Sequence, residues 1–110
     1  MIAKKYRFHG HGAVARVRGK KISGPGYSVY SKKSRRNNYR LAVVVSKKTA
    51  KSAVTRNRIR RRLFELFRID GRLDGKNLDV VVVVHDSDLA TRPHDQLVTA
   101  VSSSISTLTD

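Results

Sequence analysis

The chain has 110 residues, of which 24 are Lys or Arg and 8 are Asp or Glu, so its formal net charge is +16. It has no cysteine, which excludes a disulfide framework and a thiolate zinc site, and its length fits one domain over residues 1–110. The hydrophobic content of 39% predicts a folded domain. Because we find neither the apolar core of a signal peptide nor a run of about 20 apolar residues, we expect a cytoplasmic protein that is not bound to a membrane.

The first predicted element is a short helix over residues 12–18. Val14 and Val17 lie three residues apart, as they would on one helix face, and Gly19 accepts the left-handed conformation that ends many helices. A further short strand is possible near Ile22.

Two strands are predicted next. Gly24-Pro25-Gly26 indicates a turn, after which Tyr27 to Lys32 alternates so that Tyr30 lies on the face opposite Tyr27. Residues 33–38 predict a basic hairpin loop, and residues 39–46 predict the second strand. This second strand is apolar on both faces at its end, so we expect it to be central in the sheet.

The most informative element is a helix that begins after Thr49 or Ser52, either of which could be its N-cap, and runs to about Phe67. Its apolar residues recur three and four positions apart and form one stripe, which consists of Ile59, Leu63, Leu66 and Phe67. Asn57 and several arginines occupy the rest of the early circumference, with Arg61 opposite the stripe. The pattern predicts a helix with one packed side and one charged side.

A buried strand and a last helix complete the chain. Residues 69–77 predict a loop, Asp79 to Val84 predict a strand buried on both faces, and Pro93 suits the first turn of a helix after a loop over residues 85–92. The apolar stripe of this helix is formed by Leu97, Val101, Ile105 and Leu108. The predicted fold is therefore a single α+β domain with the element order α-β-β-(β)-α-β-α.

The positive charge is concentrated in the first part of the chain. Residues 1–64 hold 20 of the 24 Lys and Arg and none of the 8 Asp and Glu. A surface that merely solvates a protein usually interleaves both signs. An arginine cluster without acids repels itself unless a polyanion neutralises it, so the sequence predicts a nucleic-acid partner. The arginine helix could also lie on anionic lipid, but its apolar stripe is needed for the core.

We predict no catalytic residue and no metal site in the protein. His9 and His11 could pair with a lysine to cleave RNA, but histidines on a basic arm more often contact phosphate or solvent. Asp86 and Asp88 follow a strand end, where carboxylates can hold Mg²⁺, but Asp in that position usually caps a turn. Tyr30 lies among basic residues and could stack a single-stranded base, although a sheet tyrosine is as often packed in the core.

The arginine block and its flanks resemble the protein subunit of bacterial ribonuclease P. That family shows a strand ending in S-K/R-K, then a loop, then K-x-A-V-x-R-N-R-I-K/R-R and a helix that often carries Arg-Glu. This sequence has Ser46-Lys47-Lys48, then K-S-A-V-T-R-N-R-I-R-R over residues 51–61, and Glu65 downstream. A looser agreement extends over nearly the whole chain, while Phe64 stands where an arginine is common.

The resemblance implies a ribosomal protein S5 domain 2-like fold. Its β-α-β crossover around the arginine helix would be left-handed, whereas such crossovers are right-handed in about 98% of cases. In that family a catalytic RNA subunit, which binds most of the Mg²⁺, cleaves the 5′ leader from precursor tRNA. The chain would be the non-catalytic protein component, with the RNA subunit and precursor tRNA as partners, no obligate protein partner and no tightly bound cofactor of its own.

The resemblance also assigns two groups of residues. The arginine helix and the loop before it would bind the RNA subunit through Lys47, Lys48, Lys51, Arg56, Asn57, Arg58, Arg60 and Arg61. The leader would lie against Tyr30, which matches the family's strand aromatic, and against Arg40, Val14 and Arg18. The last two stand where the family has aromatic residues in its first helix.

The alternative is a basic ribosomal or other structural RNA-binding protein without a role in cleavage. A double-stranded RNA-binding module also mixes helices with a small sheet, but its usual order is one helix, three strands and a final helix. This chain instead has its arginine helix between strands. Activity with the large RNA would separate the first two hypotheses.

Overall fold

The computed structural model describes residues 20–35 and 37–109, so the predicted helix over residues 12–18 lies outside the described residues. These residues form an α+β domain with one sheet, two α-helices and a short 3-10 helix. The strands are β1 (Lys20–Gly24), β2 (Tyr27–Lys33), β3 (Arg40–Val44) and β4 (Leu78–Val84). The helices are α1 (Ala53–Asp70), the 3-10 helix (Ser87–Ala90) and α2 (His94–Thr109). The possible strand near Ile22 is confirmed as β1.

The four strands lie in the order β1-β2-β4-β3. β2 is antiparallel to both β1 and β4, and Tyr30 pairs with Lys21 on one side and with Val81 on the other. β3 and β4 are parallel, so the connection through α1 is a β-α-β crossover, as the resemblance implies. Its left-handed sense stays a prediction.

Two predictions about the strands are wrong. β3 is an edge strand of the described sheet, and β4 is central, because β4 is the strand with five consecutive valines to bury on both faces. Residues 33–38 therefore do not form a hairpin loop, since β2 and β3 flank β4 and do not pair. Instead, the Ser34 amide donates to the carbonyl oxygen of Asn77 at 2.9 Å, which fixes this connection against the loop before β4.

Local signals explain where α1 begins and ends. Ser52 is the N-cap, and its hydroxyl accepts from the Thr55 amide at 3.4 Å. Such a cap contributes about 1 kcal/mol. The helix continues to Asp70, three residues past the predicted end, where Gly71 adopts a left-handed φ of 79°. Of the predicted stripe, Ile59, Leu63 and Phe67 are fully buried and Leu66 is partly buried against the core.

The core lies between the helices and one face of the sheet. Tyr27 is on this face, only 1% exposed, and its hydroxyl shares a 2.8 Å hydrogen bond with Ser104 of α2. Gly24 is required beside it, because a Cβ at Gly24 would lie 2.5 Å from Cζ of the Tyr27 ring. Three residues of the predicted α2 stripe, Leu97, Val101 and Ile105, are buried, and Leu108 packs against them partly buried.

The opposite face of the sheet has its own small apolar cluster. Ala42 and Val81 are buried there, and Tyr30 packs beside them, half-buried, together with Val44 and Val83. The predicted alternation of Tyr27 and Tyr30 in β2 is therefore confirmed.

The segment between β4 and α2 contains the 3-10 helix that the sequence did not predict. Asp86 caps it, because its carboxylate accepts from the Asp88 amide at 3.0 Å, so the predicted turn cap is confirmed. Pro93 lies just before α2, and its carbonyl oxygen accepts from the Leu97 amide at 3.2 Å. Of the helices in residues 20–35 and 37–109, none is long and apolar enough to cross a membrane.

Candidate nucleic-acid interface

The loop after β3 is folded into a turn that exposes two lysines. The amides of Thr49 and Ala50 both donate to the Ser46 carbonyl oxygen at 3.1 Å. The Thr49 hydroxyl donates to the Val84 carbonyl oxygen at 3.3 Å, which ties the turn to the end of β4. Lys47 and Lys48 lie at the tip, and both are exposed. The loop therefore presents two ammonium groups on a fixed backbone.

Arg56 joins this loop to the first turns of α1. Its Nη1 donates to the carbonyl oxygens of Ala50 at 2.9 Å and Lys51 at 2.8 Å. The side chain is half-buried. Arg56 thus shapes the segment that carries the lysines, in addition to the RNA-binding role that the resemblance implies for it.

Five exposed cations on the loop and on α1 form what we call the basic surface, which consists of Lys47, Lys48, Lys51, Arg58 and Arg61. Within the described part of the chain, no salt bridge involves a cation between positions 47 and 62. Asn57 is exposed beside them and accepts from Arg60, which is half-buried. The predicted RNA-subunit residues are therefore adjacent on one loop and one helix, and their role in binding stays a prediction.

The electrostatics of this region favour an anion. The first turn of α1 has no acidic residue, so no carboxylate of that turn offsets the partial positive charge of the helix N-terminus. The first acid along the helix is Glu65, whose carboxylate pairs with Arg68 at 2.6 Å near the other end. The hydrogen bond from Arg68 holds the pKa of Glu65 below its usual value.

Arg62 has a different environment from the rest of the arginine block. Its Nη1 and Nη2 donate to the carbonyl oxygens of Leu89 and Arg92, at 2.7 and 2.6 Å. No local pattern indicates these bonds, because the acceptors lie 27 and 30 residues further along the chain.

The sheet face opposite the helices carries the second group of predicted residues. The ammonium of Lys21 lies 5.8 Å from the centroid of the Tyr30 ring, a cation–π distance. Arg40 binds Asp79 through two hydrogen bonds, each 2.8 Å long. The hydrogen bond to Asp79 raises the pKa of Arg40. Arg40 is thus held in one orientation on the face that carries Tyr30.

Lys21 is not among the predicted leader contacts, although the predicted turn places it opposite Tyr30. The turn at Pro25 and Gly26 pairs Gly24 with Tyr27. Three residues further from the turn on each strand, Lys21 pairs with Tyr30. Val14 and Arg18, the other predicted leader contacts, lie outside the described residues. β3 connects the sheet face that carries Tyr30 with the basic surface. It begins at Arg40 and, about 13 Å further along, leads into the loop that carries Lys47 and Lys48.

The carboxylates near the end of β4 have protein partners. Asp86 caps the 3-10 helix, and Asp88 pairs with Arg92 at 2.6 Å. Residues 20–35 and 37–109 contain no group of three or more His, Cys, Asp or Glu that could hold a metal ion. The structure thus assigns these carboxylates to a helix cap and an ion pair, and the absence of a metal site stays a prediction. His9 and His11, the rejected acid–base candidates, lie outside the described residues.

Comparison with solved structures identifies the same fold in ribonuclease P proteins. The chain matches the RNase P protein of Staphylococcus aureus with a TM-score of 0.78 and 21% identity, over 94% of both chains. It matches the RNase P protein of Thermotoga maritima with a TM-score of 0.69 and 24% identity, over 90% of this chain and 89% of that one.

Comparison of sequences gives the family. The ribonuclease P protein component of Staphylococcus haemolyticus (strain JCSC1435) is 44% identical over 52 residues. That match covers 47% of this chain and 45% of the relative, so the chain matches less than half the length of this curated protein. The family model of ribonuclease P, however, matches residues 2–109. The chain therefore belongs to the ribonuclease P family.

Proposed function

We propose that this chain is the non-catalytic protein component of ribonuclease P. In this proposal the basic surface binds the catalytic RNA subunit, and the sheet face that carries Tyr30 binds the 5′ leader of precursor tRNA. The observation that supports it best is the set of five exposed cations on the Ser46–Ser52 loop and α1, without an acidic partner in the described residues, in a chain of this family.

The basic surface has the chemistry that an RNA backbone requires. Arg58 and Arg61 present guanidinium groups that can form two hydrogen bonds to one phosphate. Lys47 and Lys48 add point charges on a loop whose backbone is fixed by hydrogen bonds. Each phosphate that these side chains neutralise releases condensed counterions, which supplies much of the binding free energy at moderate salt.

The Tyr30 face suits a single strand better than a duplex. An aromatic ring beside a lysine and an anchored arginine can stack an unpaired base while the cations contact its phosphates. The leader of precursor tRNA is such a single strand. Lys21 and the Arg40–Asp79 pair lie on the same sheet face as Tyr30, so one nucleotide or two would contact all of them.

In this proposal the protein performs no bond cleavage. The magnesium-dependent chemistry belongs to the RNA subunit, and the carboxylates of this chain that follow β4 are engaged in a cap and an ion pair. The protein supplies positive charge between two polyanions, the RNA subunit and the precursor, which would otherwise repel each other. It should therefore lower the Mg²⁺ concentration that the RNA subunit needs.

Reconstitution with the cognate RNA subunit tests the proposal. Precursor tRNA cleavage is measured at low Mg²⁺ with RNA alone, protein alone, and both together. We expect cleavage only when both are present. Arg58→Gln with Arg61→Gln should reduce this stimulation, whereas Lys76→Gln, an exposed cation away from the basic surface, should not. A protein that binds the RNA tightly but leaves cleavage unchanged would be a structural RNA-binding protein, contrary to the proposal.

A further inference from the structure

Arg62 is the one arginine of the block whose guanidinium is bound to carbonyls distant in sequence, within the described residues. Both acceptors, Leu89 and Arg92, lie in the 3-10 helix or in the link that follows it. Burial lowers the pKa of Arg62, and repulsion from Arg58 adds to this effect. Two of the five N–H donors of this guanidinium are therefore engaged by carbonyl oxygens, which hold the side chain against the segment that follows β4.

Arg92 extends this connection to the β1–β2 turn. Its Nη1 donates to the Pro25 carbonyl oxygen at 2.7 Å, and its Nη2 pairs with Asp88 at 2.6 Å. Only 15% of the Arg92 side chain is exposed. The turn is close beneath it, because a Cβ at Gly26 would lie 3.5 Å from Nη2 of Arg92. Hydrogen bonds therefore connect α1 through Arg62 and Arg92 to the hairpin formed by β1 and β2.

From this connection we infer that Arg62 is a positioning residue, which acts through Arg92 to fix α1 relative to the β1–β2 hairpin. The inference rests on the proposed function, in which α1 binds the RNA subunit and β2 carries Tyr30 for the leader. A protein that contacts both at once needs the two surfaces in one fixed relation, since a small misplacement weakens one contact. Arg62 thus contributes to recognition of precursor tRNA without touching RNA.

Arginine suits this role because of its shape. Its planar fork spans two carbonyl oxygens, whereas the ammonium of lysine is a point charge and glutamine has a shorter side chain without charge. Arg62→Lys therefore keeps the charge and loses the two-carbonyl geometry, and Arg62→Gln loses both. Arg61, the preceding residue, is exposed on the basic surface and provides the matched control.

The test uses the assembled enzyme with Arg62→Lys, Arg62→Gln and Arg61→Gln, at a temperature where circular dichroism shows each variant folded. Two quantities are measured, the salt dependence of RNA-subunit binding and the ratio of affinities for precursor and mature tRNA. Both Arg62 variants should keep the wild-type salt slope. They should lower the ratio of affinities by about fivefold or more, which corresponds to the lower end of what one base-stacking contact is worth. Arg61→Gln should keep the ratio and flatten the slope by about one.

Arg92→Lys is the second variant. It removes the guanidinium that donates to the Pro25 carbonyl oxygen, so it should also lower the ratio of affinities for precursor and mature tRNA. Combining it with Arg62→Gln should add little, because both substitutions break one connection. A flatter slope in Arg62→Gln would mean that Arg62 binds phosphate, and a lower melting temperature with an unchanged ratio would make it merely structural. Either result overturns the inference.

The proposed function and the inference fail in different ways. If the wild-type enzyme shows no preference for precursor over mature tRNA, the proposed leader contact fails and the inference falls with it. If the wild type shows the preference and both Arg62→Gln and Arg92→Lys retain it, only the inference is overturned.

Discussion

Tyr27 and Tyr30 lie three residues apart in β2 and have opposite environments. The Tyr27 ring is buried over Gly24, and its hydroxyl is bound to Ser104. Burial raises the pKa of Tyr27, as expected for a phenol held neutral in the core. Tyr30 is half-buried on the other face, with Lys21 above its ring. One tyrosine therefore serves stability, and the other is available to a ligand.

We expect Tyr30→Ala to weaken binding of precursor tRNA to the assembled enzyme by roughly 5- to 150-fold, because base stacking on an aromatic ring is worth about 1–3 kcal/mol. Mature tRNA has no leader, so its affinity should hardly change. The measurement is the affinity for each tRNA with wild-type and variant protein.

Tyr27→Phe is the matched control for this prediction. It removes the hydroxyl bound to Ser104, which should cost about 0.5–1.5 kcal/mol of unfolding free energy, and it should leave precursor affinity unchanged. Equal loss for precursor and mature tRNA in Tyr30→Ala would mean that Tyr30 supports the fold and that the leader binds elsewhere.

For single residues, the sequence predicts which face of a strand a side chain lies on, but not which distant residue it binds. The two-residue period of β2 is sufficient to separate Tyr27 from Tyr30, since alternation is a property of any strand. The pairing of Arg40 with Asp79 spans 39 residues and depends on the parallel register of β3 and β4. The carbonyl partners of Arg62 depend likewise on how the 3-10 helix packs against α1, which no local pattern encodes.

α1 contains both core residues and the exposed arginines of the proposed RNA-binding surface, so its two sides should respond differently to substitution. Ile59→Ala creates a cavity in the core and should cost about 2–5 kcal/mol of unfolding free energy. Arg61→Ala should leave stability near the wild-type value. If about six phosphates are neutralised, the slope of log K against log salt should be near −4 to −5, and Arg61→Ala should flatten it by about one.

The measurements are thermal unfolding of the free protein and RNA-subunit affinity over a range of salt concentrations. Arg68→Ala is a useful control, because Arg68 is an exposed arginine of the same helix that is paired with Glu65. A lower melting temperature with wild-type RNA binding in Arg61→Ala would show that the two sides of α1 are assigned in reverse.

The C-terminal end of α1 should give the protein a small acid sensitivity. The hydrogen bond from Arg72 holds the pKa of Asp70 below its ordinary value of 3.8, so the folded state binds this proton less readily than the unfolded chain does. The pair therefore stabilises the fold above about pH 4, and the contribution is lost as the pH falls through the lowered pKa.

Asp70→Asn should abolish this part of the pH dependence. Because the Arg72 side chain is 40% exposed, the effect should not exceed about 1 kcal/mol. Urea unfolding of wild type and variant between about pH 2 and pH 6 measures it. If the difference in stability between the two proteins stays constant over this range, the pair contributes nothing that depends on ionisation.

For the whole molecule, the sequence predicts the α+β class, the charged and packed sides of α1 and the extra strand near Ile22. It does not predict which strand is central in the sheet. β3 and β4 are both rich in valine, and only the packing of the whole domain decides which of them has a neighbouring strand on each side. The basic surface is predictable because charge is a property of the chain. The division between Arg61, which is exposed, and Arg62, which is bound to carbonyls, requires the packed structure.

The lack of acidic residues at the start of α1 has a consequence for the protein without RNA. Five exposed cations repel one another beside a positive helix end, which destabilises the folded state at low ionic strength. Raising KCl from about 0.01 to about 1 M shortens the screening length from about 30 to about 3 Å. A relief of about 1 kcal/mol should raise the melting temperature by roughly 4–8 °C.

Thermal melts of the free protein across this range of KCl test the prediction, and Arg58→Gln with Arg61→Gln should show a smaller rise. A melting temperature that falls with added KCl would contradict it. If the proposed function holds, salt that weakens RNA binding should stabilise the unbound protein. Preparations would then be best kept at high ionic strength until the RNA subunit is added.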